Sequence, residues 1–162
     1  MNKETELTAI HFKDEEKLQV LVSAEFSEWS EPVRIDQELI DRFAHLTGDT
    51  LWIHTDPARC ADESPMGTTI AHGFLVLSLL PKMPSGTPVT ERLTGYRHIM
   101  NYGSDKLRFL APVAVDSDIH ARSRIASIVV EDHKTKVTLE TQVKSVGTER
   151  LSLLYELIFV LM

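Results

Sequence analysis

The sequence predicts an α+β domain, with long antiparallel strands around one buried helix. Three observations carry that reading. Helical spacing of apolar residues is confined to the first half of the chain. Residues 72–83 are apolar on nearly every side. From Tyr96 onward the hydrophobic period changes to two.

The 162 residues fit one domain, large enough to bury most of the surface that its unfolded form exposes. Apolar residues make up 43% of the chain and charged residues 25%, the usual mixture for a globular protein. A formal net charge of -7 argues against a general nucleic-acid binder, which normally carries a basic patch. Cys60 is the single cysteine, so no internal disulfide forms, as suits a reducing compartment. No apolar run approaches the length of a membrane span. The stretch from Met1 to Glu6 lacks the basic start and apolar core of a signal peptide. The expected location is the cytoplasm, with no membrane or nucleic-acid partner.

Residues 1–27 read as a polar arm in which Leu18 to Val22 suits a short strand or helix; residues 28–162 read as a single domain. Trp29 to Ile35 leads into Asp36, a good helix N-cap. Leu39, Ile40, Phe43 and Leu46 follow at helical spacing, and Gly48 stops the run. Asp56-Pro57 supplies a cap and a first-turn proline for a short helix to about Asp62. Ser64 to Gly67 is a loop. His72 to Met83 forms the buried helix, limited by Pro81 and Pro84. Strands are expected at 96–101 and 106–110, on either side of a turn at Tyr102-Gly103-Ser104-Asp105. Ile119, Ala121 and Ile125 alternate with His120, Arg122 and Arg124, as in a half-buried strand. Turns at Asp132 to Lys134 and Gly147 to Glu149 then bound two more strands. The last, Leu151 to Leu161, is apolar on both faces.

The chemistry concentrates in Gly48-Asp49-Thr50-Leu51-Trp52-Ile53-His54 and Ala71-His72-Gly73. On an irregular loop, Asp49 and His54 can converge on one water, one group accepting its proton and the other donating one. Trp52 and Ile53 would pack inward and fix that loop. The pair alone also fits plainer roles, Asp49 as a cap and His54 as a hydrogen-bonded structural histidine. Asp49, His54 and Asp56 offer oxygen and nitrogen ligands, but their spacing matches no recognised metal motif, so no metal is expected. Gly73, at the start of an apolar helix, leaves its N–H unobstructed for an oxygen that gains negative charge. It equally permits close helix–sheet packing. His72 is read as satisfying backbone groups at the helix end.

Three segments carry a family resemblance: Phe43-Ala44-His45-Leu46-Thr47-Gly48-Asp49, Trp52-Ile53-His54-Thr55-Asp56-Pro57, and Gly67-Thr68-Thr69-Ile70-Ala71-His72-Gly73-Phe74-Leu75. Together they resemble the MaoC-like (R)-specific enoyl-CoA hydratases of hot-dog fold, in the branch that includes nodulation protein N. Asn101-Tyr102-Gly103, Lys106-Leu107-Arg108-Phe109 and Ala111-Pro112-Val113 look like the same branch. The resemblance implies a curved antiparallel sheet wrapped around a long central helix. It implies a homodimer or higher even oligomer, joined sheet edge to sheet edge, with sites near the interface. It implies that Asp49 and His54 form a catalytic dyad and that the Gly73 N–H forms the oxyanion hole. Trp52, Ile70, His72 and Asn101 are the expected substrate contacts. The implied reaction is reversible hydration of a trans-2-enoyl-CoA to a 3-hydroxyacyl-CoA. No cofactor is expected beyond the coenzyme A of the substrate. A hot-dog thioesterase or a non-catalytic acyl-thioester-binding subunit are the alternatives. Lys82, Arg97, Lys106 and Arg108 are the cations available to coenzyme A. Leu51-Trp52 stands where many members carry Asn-Pro. Ser78 is expected to bond back to a helical carbonyl.

Overall fold

A five-stranded antiparallel sheet carries the fold in the computed structural model, which describes residues 9–162. The strands are β1 (Ile10–His11), β2 (Val33–Ile35), β3 (Leu93–Thr94), β4 (Ile99–Phe109), β5 (Ser117–Val130), β6 (Thr135–Ser145) and β7 (Leu151–Leu161). The large sheet has the order β2-β5-β6-β7-β4, and β1 pairs with β3 in a separate parallel ribbon. Period-two patterning sets the inner face of the sheet: Ile119, Ala121 and Ile125 of β5 are buried, as are Val137 and Val143 of β6. The Glu131 N–H donates to the Lys134 carbonyl at 2.8 Å in the β5–β6 turn. Gly147 takes φ +81° in the β6–β7 turn, a conformation that glycine adopts without strain.

Two expectations change. Residues 96–110 do not form two strands around a turn; β4 is one strand from Ile99 to Phe109. Its register against β7 shifts between Asn101 and Gly103 and between Ser104 and Lys106, so bulges absorb Tyr102 and Asp105. The central helix is also short.

The helices are α1 (Glu15–Gln19), α2 (Gln37–Thr47), α3 (Trp52–Thr55), α4 (Pro57–Glu63), α5 (Gly73–Ser78) and α6 (Val89–Arg92). Asp36 caps α2 by accepting the Leu39 N–H at 2.8 Å, and Gly48 ends it at φ +79°. Asp56 caps α4 by accepting the Arg59 N–H at 3.0 Å, with Pro57 in the first position. The apolar run from 72 to 83 yields only six α-helical residues, α5, then a 3-10 turn at Leu80–Lys82. Pro81 causes this. It has no N–H to give a carbonyl one turn back, and it disfavours the helical conformation of Leu80. The Leu79 N–H is already shared between the Leu75 and Val76 carbonyls.

Leu75, Val76 and Leu79 of this segment meet Ile119, Ala121, Val143 and Leu153 of the sheet and Ile40 of α2 in the main core. Each such side chain contributes about 1.5–3 kcal/mol through burial. Phe74 and Ser78 face outward, and the Ser78 hydroxyl donates to the Phe74 carbonyl at 2.7 Å, as its spacing suggested.

Of the 1–27 arm, residues 1–8 lie outside the described residues. Leu18 sits on α1 and is fully buried beside Phe12, Ile125, Ile128, Val137 and Leu161 in a second core. The chain then runs along β5. The Ser27 and Ser30 N–H groups donate to the Ser123 and Ala121 carbonyls at 2.9 and 2.7 Å. Their hydroxyls accept the Ser123 and Ala121 N–H groups at 3.1 and 3.0 Å, in place of backbone carbonyls.

Trp29 closes over the outer face of β5 and stacks on His120, with ring centroids 4.2 Å apart. Arg122 and Lys144 lie over the same indole at 4.6 and 4.9 Å. Burial, and secondarily Lys144, push the His120 imidazole below its ordinary pKa of 6.5. The unfolded chain therefore binds a proton that the native chain resists, and stability falls as pH drops below about 6.5. We expect the melting temperature of the wild type to decline between roughly pH 7 and 5 more steeply than that of His120→Gln. Parallel profiles would remove His120 as a cause.

Candidate active site

The site lies where α3, the start of α5 and the end of β4 meet. Gly48 turns the chain out of α2 and leaves Asp49 in exposed coil. His54 is not on the same irregular loop; it sits on α3, a single helical turn. The two nevertheless converge. A carboxylate oxygen of Asp49 and one ring nitrogen each of His54 and His72 lie within 4.8 Å of one another. Two hydrogen bonds of about 2.8 Å to a single water cover such a span.

His54 is held by its neighbours. Its Nδ1 lies 2.7 Å from the Ile70 carbonyl. A carbonyl only accepts, so Nδ1 carries the proton, and in the neutral ring Nε2 presents a lone pair. The Ile70 N–H donates to the Ile53 carbonyl at 3.1 Å, tying the same two segments together again. Gln37 donates from Nε2 to the His54 carbonyl at 2.8 Å and accepts the hydroxyl of buried Thr69. Gln37 and Thr69 carry no signal in the sequence, because their role depends on packing across 32 residues.

His72 does not satisfy helix-end backbone groups, contrary to expectation, and makes no side-chain cap to α5. Its Nε2 lies 2.9 Å from the Asp49 carbonyl, and its ring stacks on that of His54 at 3.8 Å and 27°. Lone pairs lie in the ring plane. In two nearly parallel rings they run side by side and do not converge as tetrahedral metal coordination requires.

Beside His54 opens a cavity of about 390 Å³, walled mainly by Ile70, Phe74, Val76, Phe109, Leu110 and Val113. That size and apolar lining suit a small organic chain. Gly73 also lines it. As the first residue of α5, Gly73 has no intrahelical acceptor for its N–H. The packing role is present too: a Cβ here would fall 2.7 Å from Phe109 Cδ1. Ser152 lines the cavity without having been singled out, and Arg150, outside the lining, donates to the carbonyl of the lining residue Leu110 at 2.9 Å.

The other expected substrate contacts separate. Ile70 is on the wall. Trp52 is not, and neither it nor Ile53 packs into the core; Arg59 covers the Trp52 indole at 4.3 Å. Asn101 is exposed on β4 opposite Phe159, eight positions from Phe109 and outside the cavity lining. Of the four cations, Lys82 is exposed on the 3-10 turn and the Arg97 N–H donates to the Met162 carbonyl. Lys106 pairs with Glu156 at 3.5 Å, and Arg108 donates to the Leu107 carbonyl.

Residues 23–148 match the family model described as the MaoC like domain. The chain belongs to the MaoC-like dehydratase family. The 3-hydroxyacyl-thioester dehydratase Z of Mycobacterium tuberculosis is 40% identical over 125 residues, covering 76% of this chain and 78% of that relative. Nodulation protein N of Rhizobium leguminosarum bv. viciae is 42% identical over 125 residues, 72% of this chain and 73% of the other. Among solved structures, the (R)-hydratase from A. caviae involved in PHA biosynthesis aligns with TM-score 0.64 and 24% identity, over 85% of this chain and 96% of that one. This MaoC-like protein thus has the hot-dog fold and is an enzyme of the hydratase/dehydratase class. Among its described residues, no helix is long and apolar enough to cross a membrane.

Proposed function

We propose that this MaoC-like enzyme reversibly hydrates trans-2-enoyl-CoA to (R)-3-hydroxyacyl-CoA, with Asp49 and His54 as the catalytic dyad. The observation that carries this reading is the convergence of Asp49 with His54, whose Nε2 lone pair is available, beside the apolar cavity that Gly73 also lines. The relative named a 3-hydroxyacyl-thioester dehydratase supports the substrate class, and the (R) stereochemistry is the one that the family resemblance of the motif segments implies.

In this mechanism the acyl chain occupies the cavity. One water lies between the Asp49 carboxylate and His54 Nε2. The imidazole takes a proton as the water oxygen bonds to C3, then returns that proton to C2. Meanwhile the thioester oxygen gains negative charge and accepts the Gly73 N–H. General acid–base catalysis supplies about 10²–10⁴-fold and an oxyanion donor about 10²–10³-fold. No metal or cofactor takes part. Arg150, exposed and bonded to the carbonyl of the lining residue Leu110, is the cation offered to the phosphates of coenzyme A. Incubation of the purified protein with enoyl-CoAs of several chain lengths tests the reading. The expected product is the (R)-3-hydroxyacyl thioester; free thiol without that product would instead indicate a thioesterase.

The proposed assembly is a homodimer through β4. Among the described residues this strand pairs with β7 alone, and it presents Met100, Tyr102 and Phe109 to solvent, with Tyr102 62% exposed. Phe74, 59% exposed, packs edge-on against Phe109 at the same margin. A long open edge that exposes large apolar side chains is normally paired or covered. Met100→Glu with Tyr102→Glu is expected to give a monomer in sedimentation velocity and to lower turnover, since the cavity wall lies on this edge. A wild-type monomer would refute the assembly.

A further inference from the structure

We propose that His72 is a positioning residue that fixes the two members of the dyad relative to each other, through two separable contacts. The inference rests on the dyad proposed above. His72 is 3% exposed, and its Nε2–H donates to the Asp49 carbonyl at 2.9 Å. In the neutral ring Nδ1 is then a bare acceptor, and it is buried with no hydrogen-bond partner among the described residues. Such an orphan destabilises the native state, and a phenylalanine would fill the space without it. An imidazole at this position therefore calls for a reason other than stability.

The two contacts supply one. Asp49 lies in coil just past α2, and among the described residues its own N–H reaches the Thr47 hydroxyl alone, at 3.4 Å. The bond from His72 is the tighter hold on that backbone. His54 is hinged at Nδ1 by the Ile70 carbonyl, and a ring held at one nitrogen still rocks about that contact. The face of His72, 3.8 Å away, blocks the rocking, and Phe43 backs His72 from 5.1 Å. One buried side chain thus ties the backbone of the exposed Asp49 to a hinged base. It also places a neutral aromatic face beside the imidazolium that forms in turnover, an attractive arrangement of cation and ring.

Two variants separate the contacts. His72→Phe keeps a ring face but has no donor; His72→Gln keeps a donor of similar reach but has no ring. Three measurements are made on each: kcat and KM with crotonyl-CoA, the melting temperature, and the His54 ring ¹⁵N signals. Both variants are expected to melt near the wild type, His72→Phe at or above it. Both should lose kcat, by up to roughly 10²-fold, with KM little changed. In His72→Gln the single Nδ1–H tautomer of His54 should give way to a mixture, whereas His72→Phe should retain it. Wild-type kcat in either variant overturns the proposal. So does a loss of kcat that merely follows a lost melting transition, which would mark a structural residue. The nitrogen spectra need no turnover. If the wild type hydrates no enoyl-CoA, the functional reading fails by itself, and an unchanged His54 spectrum in His72→Gln separately overturns the positioning role.

Discussion

Asp49→Asn and His54→Asn are each expected to lower hydration of crotonyl-CoA by about 10²–10⁴-fold while leaving the protein folded. The structure makes both substitutions unusually clean. The Asp49 side chain is exposed and makes no hydrogen bond to protein among the described residues, so asparagine removes charge and basicity with little else. His54 donates from Nδ1 to the Ile70 carbonyl. The amide nitrogen of asparagine can take over that donation, but it offers no lone pair in place of Nε2. Loss of rate should therefore appear in kcat, with melting temperature and KM nearly constant. Hydration at the wild-type rate by either variant would remove its residue from the dyad.

The second large effect concerns Gly73. A direct Gly73→Ala comparison mixes two causes, because the new methyl group would strike Phe109 at 2.7 Å. Phe109→Ala provides a background in which that collision is relieved. In it, Gly73→Pro and Gly73→Ala both carry a Cβ and differ chiefly in the N–H. Proline is tolerated at the first position of a helix, and His72 already has the extended ψ of 137° that precedes proline comfortably. The proline variant is expected to be slower than the alanine variant by about 10²–10³-fold, the usual worth of one oxyanion donor. Equal rates would leave Gly73 with a packing role alone.

What could be foreseen from the sequence follows how local each determinant is. Asp36, Gly48 and Asp56-Pro57 mark helix ends through chemistry within four residues, and the structure places all three as expected. The alternation in β5 and β6 sets their buried face directly. The Asp49–His54 pairing was legible from the motif. Longer-range effects were not. Tyr102-Gly103-Ser104-Asp105 has turn composition, yet pairing with β7 carries β4 straight through it. Trp52 has the bulk of a core residue, but its place under Arg59 depends on the path of α4. His72 reaches Asp49 across 23 positions, which no local pattern encodes. Leu18 is fully buried while Val20, two positions on in the same short apolar stretch, is exposed, a choice set by how the arm folds back on the second core.

The two serine hydroxyls that stand in for carbonyls along β5 bear on which sheet edge stays open to pairing. They occupy donors that an incoming strand would otherwise seize, and the three-residue β2 leaves little room beyond them. Among the described residues, the longer open edge of the large sheet is therefore the opposite one, along β4. In the homodimer proposed above, two copies would pair there about a twofold axis, a closed contact that does not propagate into fibres.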